Sequence, residues 1–523
     1  MRTLPAWSIR GVGAGAAVAS GLVMALVIAP TAAHADEPRS ATEPRVMMES
    51  GEVTNVIDAF DEGDLFDINV SLGYQYASKS ARILRETNIN APGLTTGGFT
   101  SNLLNVARYS ETTNRLIPRV DIGIYKDLAA HISLPIILSN NRELGDLDGS
   151  AKQQSVVLQG APGEQLFSLP FKSPTRSGIE HIAAGLDVNF LNQARDQTKP
   201  TWLFGVEGRF SVGTPMHACN TTGQINCAYP SDINRNGKID VKSPEGANLE
   251  GADLGSRDPG VSRGTIGLEV HTMMSKRIKY IEPYGGFSAL FEFQQSSSDY
   301  GLTDVEESLV NHPPLVGTMT LGLMVIPWEN REKFGRLTLD FRATGTYSSE
   351  GRDYTELFDA IGSSAAPSLR NPQYESFKAN DLFSSAGCTD NNPMTPCLPR
   401  SIVDPNSQKT YTTGLGDVQA FTSFRASASV TWQASEFIKF QLGLGYRHDQ
   451  GHGITGDQPC NPAVKDIGRS GPCRSGDDAA GIAVTPTGLP NPNYRPTINA
   501  VGRRFFVDDS NTVDFFASGV VMF

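Results

Sequence analysis

The chain of 523 residues carries a formal net charge of −12, is 39% hydrophobic and has a mean hydropathy of −0.24. An acidic balance offers a polyanion no basic surface, which excludes nucleic acid as a partner. Beyond residue 28 no run of about eighteen apolar residues remains, so membrane-spanning helices are excluded as well.

Arg2 and Arg10 precede an apolar stretch over 12–28, followed by Ala33-His34-Ala35 and then Asp36. A basic start, an apolar centre and an A-x-A site predict a secretory signal peptide, 1–35, cut after Ala35; the tripeptide and the abrupt polarity after it disfavour a single membrane anchor. Gly11, Gly13 and Gly15 lie inside this leader without a flanking strand and helix, so they make no phosphate loop. Losing the leader removes its two arginines and no acid, taking the charge from −12 to −14. Residues 36–65 read as a short periplasmic N-terminal segment with a weak helical candidate at Val53–Phe60, too short for a plug domain.

From residue 66 to 523, apolar and polar residues alternate in segments near 66–76, 115–125, 128–138, 181–191, 202–212, 265–275, 280–293, 315–327, 336–347, 418–432, 437–448 and 513–523. Period-two alternation presents one face of a strand to an apolar phase. The prediction is an all-β fold, a transmembrane antiparallel up-and-down β-barrel of about twelve strands, ten and fourteen being the neighbouring even counts. Connections alternate in length. Lys126-Asp127, 194–199, 276–279, 329–335 and 433–436 are short, whereas 77–114, 139–180, 213–264, 294–314, 348–417 and 449–512 are long. Short turns belong in the periplasm and long loops outside. Trp202, Trp328 and Trp432 each adjoin a short turn, with Tyr125, Tyr280 and Phe437 at the same level, which outlines an aromatic girdle.

In the first strand Phe66, Ile68, Val70, Leu72 and Tyr74 would face lipid, leaving Asp67, Asn69, Ser71 and Gln75 inside. The same register places Asp67, Asp121, Asp187, Glu207, Glu269, Glu282, Asp340 and Asp514 in the lumen, with Arg119, Arg209, Arg342, Arg425, Lys439 and Arg447. Two readings stand. Ionisable rings could line a polar conduit that sorts solutes by charge and size, or interlocking ion pairs could plug a narrow barrel.

Cys219 and Cys227 share one long loop, Cys388 and Cys397 another, and Cys460 and Cys473 a third. Close spacing within each loop and an oxidising compartment favour three local disulfides over the other pairings. No pair has Cys-x-x-Cys spacing, so zinc is disfavoured. In the first of these loops, Asp232, Asn234, Asn236, Asp240 and the Lys238 carbonyl have the alternating oxygen pattern of a calcium loop, with Gly237 after the third side chain. Ser243 stands where a bidentate Glu is expected, so an Asn-Gly turn is the alternative. Calcium is the one cofactor expectation. No G-x-S-x-G, H-E-x-x-H or phosphate loop occurs in the mature chain, and His131, His181 and His271 lie in the lumen register, so no enzymatic activity is expected.

The last strand, Val513 to Phe523, ends on an aromatic residue, as Gram-negative outer-membrane proteins commonly do; the resemblance implies that Phe523 is an assembly signal for the barrel-assembly machinery. The hairpin from Leu116-Ile117-Pro118-Arg119 through Tyr125-Lys126-Asp127-Leu128 to Leu134-Pro135-Ile136 is similar to hairpins of outer-membrane channel families linked to uptake of aromatic compounds. The mature chain, with Thr198-Lys199-Pro200-Thr201-Trp202 at one turn, also resembles barrel proteins of myxobacteria and their relatives. These resemblances imply a Gram-negative outer membrane, lipid around the barrel and passage of small solutes. The competing expectation is a surface-exposed binding or adhesion protein whose barrel anchors disulfide-stabilised loops.

Overall fold

Strands whose outward residues are apolar and whose inward residues are polar can satisfy their backbone in lipid only by closing on themselves. A computed structural model describes residues 53–57, 59, 67–90, 99–147, 166–221, 225–227, 238–242, 248–253, 257–296, 298–301, 312–364, 413–455, 476–477, 483–484 and 504–523. Twelve antiparallel strands close in it. They are β1 (Ile68–Asn90), β2 (Phe99–Tyr125), β3 (Leu128–Ser133, resuming as Ile136–Gly145) and β4 (Arg176–Ile179, resuming as Ile182–Leu191). Next come β5 (Thr201–Phe210), β6 (Thr265–Ser275), β7 (Ile281–Gln294) and β8 (Val316–Asn330). The last are β9 (Gly335–Ser348), β10 (Phe421–Ser435), β11 (Ile438–Asp449) and β12 (Ser510–Met522).

Each strand pairs with the next in sequence, and β12 closes onto β1 with Leu72 opposite Gly519. Phe523 completes the seam, its N–H donating to the Ile68 carbonyl at 2.9 Å. Along β9, Thr338 and Asp340 are buried while Phe341 is 53% exposed. Trp202, Trp328, Trp432, Tyr125, Tyr280 and Phe437 are all exposed beside the short turns. Phe210, Phe293, Tyr347, Phe424 and Tyr446 form a second exposed aromatic tier toward the opposite rim. Trp202 to Phe210 brackets a span of the length a tilted strand needs to cross hydrocarbon, about 9–11 residues. The chain is a closed transmembrane β-barrel with an apolar outer belt.

Two expectations change. The segment 77–114, read as a loop, is largely strand: the β1–β2 ladder runs on from Ala77 opposite Thr113 to Asn90 opposite Phe99. Ser78, Lys79, Ser80, Glu111, Thr112 and Thr113 lie above the aromatic tier, so the apolar alternation stops while the backbone pairing continues. The helix expected at Val53–Phe60 is absent among the described residues there, which are irregular. Val56 and Ile57 pack on Ala129, Leu203 and Met273, residues of the inner register near the periplasmic rim. Thr54 adds a hydroxyl bond of 2.6 Å to Ser275. Burial of these apolar side chains outweighs any intrinsic helix preference in so short a segment.

Above the lipid belt the loops fold into a cap with its own core. The helix α1 (Phe358–Gly362) is buried throughout, and Leu357, Ala360 and Ile361 join Ile83, Val106 and Phe505 in one apolar cluster. A short hairpin, Gly351–Asp353 paired with Gly416–Val418, carries the chain into and out of the cap.

Candidate solute path in the barrel interior

Glycines on the inner face decide which side chains meet. On β4, Gly185 lies between His131 of β3 and Glu207 of β5, and an added Cβ would stand 2.6 Å from the His131 ring. With no side chain in the way, His131 bonds Asp187 through Nδ1 at 2.8 Å and Glu207 through Nε2 at 3.1 Å. Both ring nitrogens face carboxylates, so both donate and the ring is an imidazolium. Gly205 on β5 opens the same kind of gap, through which His271 Nε2 meets Asp187 Oδ1 at 2.9 Å. Gly322 on β8 lets Tyr284 of β7 reach β9 and donate to Asp340 at 2.7 Å. Gly445 on β11 lets Arg425 of β10 bond Asp514 of β12 at 2.6 Å. In each case polar groups two strands apart join across the missing side chain.

The residues expected in the lumen therefore form pairs. Arg119 contacts Asp121 at 2.7 Å and lies 3.9 Å from Asp187. Arg209 bonds Glu207 at 2.8 Å and also Glu269. Arg342 pairs with Asp340 at 3.1 Å, and its Nε donates to the Tyr284 hydroxyl at 2.9 Å. Arg447 pairs with Asp449, which was not among the expected residues. Glu282 is fully buried and lines no open space. Asp67 and Lys439 stand at the periplasmic ends of β1 and β11, away from this web.

Between the web and the cap lies a chamber of about 290 Å³, walled by the inner faces of β4 to β10. Glu180, His181, Arg209, Arg263, Glu292 and Asp353 supply its polar wall, and Leu290, Pro314, Val316, Val418 and Phe421 its apolar wall. Arg263 donates to both oxygens of Glu292 at 3.0 and 2.9 Å and pairs with Asp353 at 2.9 Å. The expected lumen set missed this group: Arg263 lies before β6 and Asp353 in the short hairpin after β9, both outside the alternating segments, whereas Glu292 is in the inner register of β7 between the outward Phe291 and Phe293 and was legible there.

Two closures bound the path. On the outer side, Arg176 of β4 makes a two-pronged bond to Asp359 of α1 at 2.9 and 2.7 Å with both side chains buried. Asp359 also accepts from the Cys219 N–H at 3.0 Å, tying α1 to the loop that Cys219–Cys227 closes as a disulfide. On the periplasmic side stands the segment around Val56 and Ile57. Lys79 and Glu356, 2.7 Å apart, fasten the cap to β1; burial raises the Glu356 carboxyl, but Lys79 outweighs it and holds the group below the usual carboxylate range.

Cys388, Cys397, Cys460 and Cys473 lie outside the described residues, as do Asp232, Asn234 and Asn236. Lys238 and Asp240 fall in Lys238–Lys242, a strand paired with Asn248–Asp253.

No protein-family model matches the chain, and no curated protein matches it. Among solved structures it is similar to an outer membrane channel from Pseudomonas putida F1, at 10% identity over 91% of this chain and 99% of that one with a TM-score of 0.33. It is similar to the monoaromatic hydrocarbon channel CymD, at 9% identity over 90% of each chain with a TM-score of 0.29. A third likeness is to the outer membrane protease OmpT from Escherichia coli, at 8% identity over 88% of this chain and 96% of that one with a TM-score of 0.23. Likenesses this distant carry neither a solute nor a reaction to this chain, whose own closure and apolar belt make it an outer-membrane β-barrel protein.

Proposed function

We propose that the protein is a selective outer-membrane channel through which small solutes pass along the barrel interior. The chamber of about 290 Å³ between the charge web and the cap is the observation that carries this reading. A barrel serving only as an anchor needs no such space, whereas a selective path needs a place where a solute is held after it leaves water and before it crosses the charges. The cap and the Val56 segment stand at either end, so passage requires both to move aside.

At His131 both nitrogens are taken by carboxylates, so this ring has none left to activate a nucleophile. The second reading, a surface-binding protein, is favoured by the apolar core and disulfide that give the cap a fixed shape. Conductance of the purified, folded protein in planar bilayers separates the two. Discrete current steps support the channel, and silence with the cap both intact and loosened removes it.

A further inference from the structure

We infer that the luminal chamber binds a small amphipathic cation, an alkyl- or arylamine of about one ring. This names a solute class for the channel reading and rests on it for its role. A volume of about 290 Å³ lies at the low end of small-molecule pockets, roughly 300–1,000 Å³. Leu290, Val316 and Phe421 give one side of it an apolar surface for a ring or short chain.

Beside them, the lining holds an excess of negative charge, Glu292 standing two residues from Leu290 on the inner face of β7. Glu180 pairs with Arg115 at 3.0 Å. Arg263 is shared by Glu292 and Asp353, each at 2.9 Å. Arg209 is shared by Glu207 and Glu269. The lining itself thus sets two guanidiniums, Arg209 and Arg263, against three carboxylates, Glu180, Glu292 and Asp353, and counting the partners just behind it, Arg115, Glu207 and Glu269, still leaves carboxylates in excess. The web beyond does not alter this, because Arg119 and the doubly donating His131 offset Asp121 and Asp187. His271 bonds Asp187 through one nitrogen and needs no charge to do so.

An anion entering the chamber would have to take a guanidinium from a carboxylate already bonded to it, leaving that carboxylate unpaired in a partly desolvated place. An ammonium displaces nothing. It supplies the missing positive charge and donates to Glu292 or Asp353 while its apolar part covers Leu290 and Val316. His181, on the same wall, offers an acceptor nitrogen when its ring is neutral.

Isothermal titration of the full folded protein in micelles at low salt, with 2-phenylethylamine, 3-phenylpropionate and 2-phenylethanol as probes of similar size, tests the assignment. The amine should bind at least about tenfold more tightly than the acid, with the alcohol between. Glu292→Gln should remove most of that preference, and Val316→Trp, which fills the chamber, should abolish binding of all three. Acid binding as tight as amine binding, or amine binding that survives Val316→Trp, overturns the proposal. The comparison on the unaltered protein decides the matter even where a variant does not fold. Amine binding by a protein that passes no current would refute the channel alone, and current without amine preference would refute this site alone.

Discussion

At the residue scale, absent side chains organise the interior. Gly185, Gly205, Gly322 and Gly445 each leave a slot through which groups two strands apart join, so an inner wall of modest width carries bonds longer than a neighbouring-strand ladder allows. Gly322→Ala would set a methyl 2.1 Å from the Tyr284 ring, which must swing away and give up its bond to the buried Asp340. The expected loss is about 1–3 kcal/mol, seen as an earlier urea unfolding midpoint in micelles. Gly345, on the neighbouring strand β9, has nothing within 4 Å of an added Cβ, so Gly345→Ala should unfold like the native protein. An equal loss at both positions would show that the slots are incidental.

At the element scale, legibility in the sequence tracked the membrane. Where lipid meets a strand, each outward charge is costly, and the pattern of apolar residues gave the strands, their lipid-facing sides and the short turns at Trp202, Trp328 and Trp432. Above the belt that pressure lifts. The upper β1–β2 ladder reads as a loop because its outward residues, Ser78, Ser80 and Arg82, are polar while Ala81, Ile83 and Tyr109 are buried in the cap core, and α1 gives no helical pattern because it is one turn long and buried on all sides. The polarity of the lumen was legible but its pairing was not, since Asp187 meets His271 across Gly205 through closure of the barrel and not through sequence spacing. The cap hinges on Arg176 and Asp359. Asp359→Ala leaves a buried guanidinium without its carboxylate, a change expected to cost about 3–5 kcal/mol locally, whereas Arg176→Met with Asp359→Leu should restore much of it. Limited proteolysis of the cap reads both: fast cleavage in the single variant and near-native protection in the double. Acid should act on the Lys79–Glu356 pair. A carboxyl held low in the folded state stabilises the cap above its unfolded value, about 4.3, and that stabilisation is lost as pH falls through the lower folded value. Asp417, raised by burial despite Arg352, works in the opposite direction, so the difference between native protein and Glu356→Gln is the informative quantity. The native cap should lose protease protection more steeply than the variant below about pH 4; parallel curves would remove Glu356 from the account.

At the scale of the whole molecule, the proposed channel would join a barrel closed by the β12–β1 seam, a chamber under a folded cap and a segment packed at the periplasmic rim into one path with two closures. On the proposed channel reading, charge would give that path a direction of preference, because carboxylates outnumber guanidiniums around the chamber and a cation would pass without breaking an existing pair. Loosening the cap should therefore raise the current while leaving its sign of selectivity unchanged. The most direct measurement is single-channel recording of the purified protein in planar bilayers under a salt gradient, beside the Asp359→Ala variant. Small cation-selective steps that become more frequent in the variant are the result expected. A silent bilayer with both proteins, each verified as folded, would contradict the account.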